Sequence, residues 1–207
     1  MIEKLACKLG RNDEAPNIEL AEDLCHNANA AGIKEIVDGL KDKDKAVVND
    51  CIKALYEIGE RRPELIAGYA NEFISCLRSR NNRLAWGSMT ALAKIAEIAP
   101  DPIFEKLPVV IAAYEEGSVI TVDNSISVFA GLCKVNDKYA KTVLPTIISH
   151  LKKCRPKDVP QHAERSSVCF NNRNANAFIE VLEERLLHLT ATGQARVNKL
   201  LKKLCGL

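Results

Sequence analysis

The chain has 207 residues and a formal net charge of +2, and its 47% hydrophobic content excludes a disordered polymer and suffices for a continuous core. Aromatic residues make up only 5%, and glycine and proline number 10 and 8, so the apolar content is mainly Ala, Leu, Ile and Val, a mixture suited to packed helices rather than aromatic-rich sheets. Residues 151–207 carry 11 Lys/Arg against 5 Asp/Glu, yet the balance over the whole chain falls short of the strongly basic character, with a pI above about 9, of a dedicated nucleic-acid domain.

In chain order, Met1-Ile2-Glu3-Lys4-Leu5 is too short and too charged for a secretory signal, and no apolar run approaches the roughly 18 residues of a membrane span. No membrane partner is expected. The eight cysteines (Cys7, Cys25, Cys51, Cys76, Cys133, Cys154, Cys169 and Cys205) form no C-x-x-C pair, so they read as small hydrophobes of a cytoplasmic protein. Residues 1–26 predict an atypical N-terminal helix pair. Paired helices are expected at 27–40 and 45–60, 63–78 and 82–98, 102–115 and 119–134, and 137–153 and 159–170, so that 27–170 hold four repeats. Asn171-Asn172-Arg173-Asn174 breaks the pattern, and 171–207 supply C-terminal capping helices that end in Cys205-Gly206-Leu207, one residue short of a prenylation box. The whole, 1–207, is expected to be a single all-α domain.

This register rests on a period of 37 residues. Ile36, Phe73, Val110 and Ile147 recur at that spacing, as do Leu40, Leu77, Tyr114 and Leu151. A second stripe follows in Ala54, Ala91 and Val128, in Leu55, Leu92 and Phe129, and in Ile58, Ile95 and Leu132, which are i, i+1 and i+4 positions of a helix. Polar turns separate the stripes. Pro63, Asp101-Pro102 and Asp137 stand where helices should open. Val119-Ile120-Thr121-Val122 has strand propensity, but its repeat counterparts Ala46-Val47-Val48 and Arg83-Leu84-Ala85 predict helix.

Leu107-Pro108-Val109-Val110 and Leu144-Pro145-Thr146-Ile147 resemble the Leu-Pro-x-Leu signature in the first helix of a HEAT repeat, where proline kinks the helix. Asp42-Lys43-Asp44-Lys45-Ala46-Val47 resembles the Asp-x-Asp-x-x-Val that opens its second helix, and Ala54-Leu55 the Ala-Leu pair within it. The chain departs from that pattern after Val47, where Val48 and Asn49 replace the customary Arg, so no Asp-to-Arg ladder is implied. The resemblance to HEAT and armadillo proteins covers residues 27–170 and implies a right-handed α-α superhelix with an extended interaction surface.

Candidate chemistry is sparse. His150 and Cys154, one helical turn apart, are followed by His162 and Cys169, residue types that can hold zinc, but without the paired C-x₂₋₄-C spacing of structural sites they read as packed side chains. No metal or cofactor is expected, since no Gly-rich phosphate loop, H-E-x-x-H or G-x-S-x-G occurs. HEAT-like DNA glycosylases act through a Trp, an Asp and an Arg, and Trp86, the single tryptophan, has no acidic neighbour to match. It reads as a packing residue or a partner anchor. In stacked repeats the turns align, so Arg78, Arg80 and Arg83, and two repeats further on Lys152, Lys153, Arg155 and Lys157, form a candidate basic ridge interrupted by Glu115 and Glu116. The leading expectation is therefore a non-catalytic scaffold for a protein or peptide partner. A nucleic-acid binder using the ridge is the first alternative, and an enzyme of the glycosylase kind the second.

Overall fold

A computed structural model describes residues 1–171 and 174–205, and among them twelve α-helices are joined by short turns with no strand. Asn172 and Arg173 of the expected break, and Gly206 and Leu207 of the C-terminal tripeptide, lie outside the described residues. The chain forms two compact units, Met1–Val128 and the residues from Phe129 onward.

In the first unit a 3₁₀ turn, Ile2–Lys4, precedes α1 (Ala15–His26). The pair α2 (Ala30–Asp38) and α3 (Lys45–Arg61) follows. Each starts at a side-chain cap: Asn29 Oδ1 accepts from the Gly32 amide at 2.9 Å, and Asp44 Oδ1 from the Ala46 amide at 2.8 Å. The expected helix over 63–78 is broken into 3₁₀ turns at Pro63–Leu65 and Ala67–Tyr69 before the short α4 (Ala70–Cys76). Pro63 starts the segment but cannot donate a hydrogen bond, and Gly68 lowers helix propensity one turn on. Asn81 then caps α5 (Asn82–Ile95).

The helix expected over 102–115 is likewise divided, into α6 (Pro100–Glu105) and α7 (Leu107–Glu116). Pro108 lies in the first turn of α7, so it begins a helix where the HEAT pattern implies a kink. Helix α8 (Val119–Val135) contains the stretch with strand propensity, and its turns bury Ser125 and Ile126. The boundary between the two units falls within it.

Helices α1, α3 and α5 pack side by side as one layer, with α2 against α3 and α4 against α5. A Cβ on Gly87 of α5 would stand 2.7 Å from Cγ1 of Ile52 on α3, so glycine sets how closely these two helices approach. Ile36, Phe73, Val110, Leu55 and Leu92 are fully buried.

The second unit contains α9 (Asp137–Lys153), α10 (Val159–Ser166), α11 (Asn176–Leu186) and α12 (Ala191–Cys205). The α9 cap is Asn136, whose Oδ1 accepts from the Tyr139 amide at 2.9 Å, while Asp137 occupies the first turn. Pro145 lies inside α9. Helices α9 and α11 pack together, as do α10 and α12. Arg185 of α11 donates to the carbonyls of Lys152 and Cys154, both at 2.6 Å, and so satisfies acceptors left open at the end of α9. Phe129 and Ile147 are fully buried in this unit.

Candidate functional site

A run of ion pairs crosses α1, α3 and α5 of the first unit. Lys53 on α3 places Nζ 2.8 Å from Oε1 of Glu57, one turn along the same helix, and 2.9 Å from Oε2 of Glu14 at the start of α1. Glu14 also pairs with Arg83 of α5. Glu57 in turn holds Arg61 at 2.5 Å, and Arg61 reaches Glu22 of α1 at 2.9 Å. Lys94 of α5 pairs with Glu60 of α3. Every layer helix is thereby tied to its neighbour through side chains that leave the core on one side.

The electrostatics follow from these pairings. Burial alone would raise the carboxyls of Glu57 and Glu14, but hydrogen bonds and charge from Lys53, with Arg61 for the first and Arg83 for the second, outweigh it and hold both below the ordinary glutamate value. Burial opposes the charge on Lys53, and Glu57 and Glu14 more than restore it. All three groups stay ionised at neutral pH.

Two aromatic rings lie within the same network. Tyr56 and Trp86 approach to 5.8 Å between centroids, with Lys53 Nζ 4.9 Å from the Tyr56 ring and the Arg83 guanidinium 6.0 Å from the Trp86 ring. Both rings are half-buried. Where the HEAT pattern has its Arg, the α3–α5 contact uses Asn49, whose Oδ1 accepts from Asn81 Nδ2 at 2.8 Å.

The basic residues of the expected ridge fall into several environments. Arg83 is spent on Glu14 and Trp86. Arg78 and Arg80 are exposed and line a shallow cleft of about 250 Å³ with Glu116, Ser118 and Thr121, which brings adjacent repeat turns together within the first unit. In the second unit Lys152, Lys153 and Lys157 are exposed, and Arg155 pairs with Asp158 at 2.5 Å. Sequence reading named Trp86 and Arg83 but passed over Glu14, Lys53, Tyr56 and Glu57. Lys53 and Glu57 carry an i, i+4 signal, whereas Glu14 and Arg83 meet only through the fold, 69 residues apart.

The residues set aside as packed side chains are partly gathered in the second unit. His150 of α9 and His162 of α10 are buried, with Nε2 of the first 2.8 Å from Nδ1 of the second. Together with Cys154 they are the group of metal-ligating side chains among the described residues, their donor atoms all within 4.8 Å of one another. Cys169 is not a member.

No protein-family model matches the chain, and no curated protein matches it in sequence. Among solved structures it is similar to computationally designed armadillo repeat proteins for modular peptide recognition, with 15% identity, 91% of each chain covered and a TM-score of 0.69. It is similar also to a designed armadillo repeat protein in complex with the peptide (KR)4, with 15% identity, 91% of this chain and 90% of that one covered, and a TM-score of 0.73. The chain has an armadillo-like helical repeat fold. An engineered protein adds a match at 20% identity over 99% of this chain and 96% of the other, with a TM-score of 0.62. The likeness bears out the all-α repeat architecture expected from the HEAT and armadillo resemblance. Within this armadillo-like chain, no helix of the described residues is long and apolar enough to cross a membrane.

Proposed function

We propose that the chain is an interaction module that receives an extended basic segment of a protein partner on the ion-pair face of α1, α3 and α5, with Trp86 as its aromatic anchor. The observation that carries this reading is the order of exposure within the pairs. Glu14, Glu22 and Glu60 are 43%, 58% and 60% exposed, whereas their cationic partners Lys53, Arg61 and Lys94 are 8%, 30% and 33% exposed. In these three pairs the carboxylate is the more exposed member, so a ligand arriving from solvent meets Glu14, Glu22 and Glu60 first, whereas Glu57 is 18% exposed against 30% for its partner Arg61.

Exchange of partners on such a face is cheap. Exposed ion pairs are worth only about 0–1 kcal/mol each, so an incoming Lys or Arg can take over Glu22 or Glu60 at little loss to the fold, while the buried Lys53 keeps Glu57. Solved neighbours of the same fold support a peptide partner, since they are described as designed for peptide recognition and one holds the peptide (KR)4. An anionic partner would instead engage the turns at Arg78 and Arg80, and Lys152, Lys153, Arg155 and Lys157.

Fluorescence anisotropy with three labelled probes separates these classes: the peptide (KR)4, a peptide of alternating aspartate and glutamate, and a DNA duplex, each at low and physiological salt. The proposal expects saturable binding of the basic peptide and no competition by the duplex. Tighter binding of the duplex or the acidic peptide, weakened by charge reversal of Arg78 and Arg80, would overturn it.

A further inference from the structure

We propose that His150, Cys154 and His162 form a zinc site in the second unit, with the fourth coordination position left to water. The three side chains are of the types that zinc prefers, two imidazoles and a thiolate, and their donor atoms lie within 4.8 Å of one another. Zinc–nitrogen and zinc–sulfur bonds of about 2.0 and 2.3 Å place the tetrahedral donors of such a site roughly 3.3–3.5 Å apart, so the two nitrogens would separate slightly and the thiolate would draw in to close on an ion. The facing nitrogens of the two histidines are hydrogen-bonded to each other at 2.8 Å, which places both at the same spot between α9 and α10.

The backbone supplies the arrangement. His150 stands on the last turn of α9, and Cys154 follows it by four residues at the helix end, which brings both to one side. The short connection through Pro156–Asp158 returns the chain so that α10 presents His162 to them. Arg185 fixes the same corner by holding the carbonyls of Lys152 and Cys154. A hydrogen bond between two histidines requires no thiol, so the third donor at this place is what sets the cluster apart from an ordinary buried pair.

The proton balance is simple. Without metal Cys154 is a neutral thiol, and it ligates only as the thiolate. On binding, the Cys154 proton leaves to solvent, the ring whose proton lay between the two histidines moves it to its other nitrogen by exchange with solvent, and the sulfur lone pair and one nitrogen lone pair from each imidazole enter the coordination sphere. One proton is released per ion. The ion joins α9 to α10, so its binding free energy adds to the stability of the second unit. Cys154 is only half-buried, which gives the ion and a water ligand an entry path.

The test uses the full, tag-free chain, stripped with chelator and titrated with cobalt(II) as a spectroscopic substitute, followed by displacement with zinc. The proposal expects thiolate-to-cobalt charge-transfer absorption together with visible bands of tetrahedral cobalt, both abolished by zinc at one equivalent. Cys154→Ser should remove the charge-transfer band. His162→Gln should weaken zinc binding by at least about tenfold, the loss that even an outer-shell change can cause. Cys169→Ser should leave the spectrum unchanged. Wild-type protein that gives no sulfur charge transfer overturns the proposal whether or not the variants fold, and so does a band that persists in Cys154→Ser.

Discussion

The rings of Tyr56 on α3 and Trp86 on α5 stand 5.8 Å apart at an interplanar angle of 43°, in a network that joins Lys53, Glu14 and Arg83. Two half-buried rings held by charged neighbours make a rigid anchor with little side-chain entropy left to lose. Trp86→Ala should weaken binding of a basic peptide by about tenfold or more, the loss typical of an aromatic hot spot, while the helical circular dichroism spectrum is retained. Unchanged affinity, measured by anisotropy, would remove Trp86 from the site.

The α3–α5 contact tests the packing. In an exposed helix Gly→Ala is favourable by up to about 1 kcal/mol. At Gly87, however, the new Cβ would fall 2.7 Å from Cγ1 of Ile52, a fully buried side chain that has nowhere to retreat. Overpacking should win, and Gly87→Ala should destabilise the chain by about 1–2 kcal/mol in urea titration. A stabilised variant would mean that the two helices are farther apart than described.

Leu92 is fully buried at the position that Leu55 holds one repeat earlier. Leu92→Ala should therefore cost about 2–5 kcal/mol, through lost transfer energy and the cavity left behind. A change within about 0.5 kcal/mol, the range of surface substitutions, would contradict the 37-residue register.

The ion-pair face also predicts a pH dependence. Glu57 is held below its ordinary value of 4.5 by its bonds from Lys53 and Arg61, which outweigh the opposing effect of burial. A carboxyl whose folded pKa is depressed contributes stability that is present above its unfolded pKa and lost as pH falls through the folded value. Urea midpoints of the wild type should thus drop more between neutral pH and about pH 3 than those of Glu57→Gln, which has no such proton to take up. Parallel curves for the two proteins would deny the linkage.

How much of this was legible in the sequence depends on how far apart the interacting residues lie. Helix type and phase came from local apolar spacing, and the register carried even Val119–Val122 into α8 against their strand propensity, because buried stripes outweigh intrinsic preference. The interruptions after Pro63 and at Lys106 were missed, since a 37-residue period marks which faces are buried and not whether the backbone stays helical between them. The Leu-Pro pairs look alike, yet Pro108 starts α7 and Pro145 lies within α9. Site residues were harder to find. Lys53 and Glu57 share a helix face, but the Glu14–Arg83 pair and the approach of His162 to His150 come from helix stacking, for which spacing along the chain gives no direct sign.

Trp86 is the single tryptophan of the chain, so its intrinsic fluorescence reports on the proposed face without a label. The most direct test is a titration of the peptide (KR)4 into the wild type and into the Glu14→Gln/Glu22→Gln/Glu60→Gln variant, following tryptophan emission at physiological salt. The wild type should show a saturable emission change, and the variant, which lacks the three outward carboxylates, a large loss of affinity. No emission change in the wild type, or equal affinity in the two proteins, would contradict the proposed function.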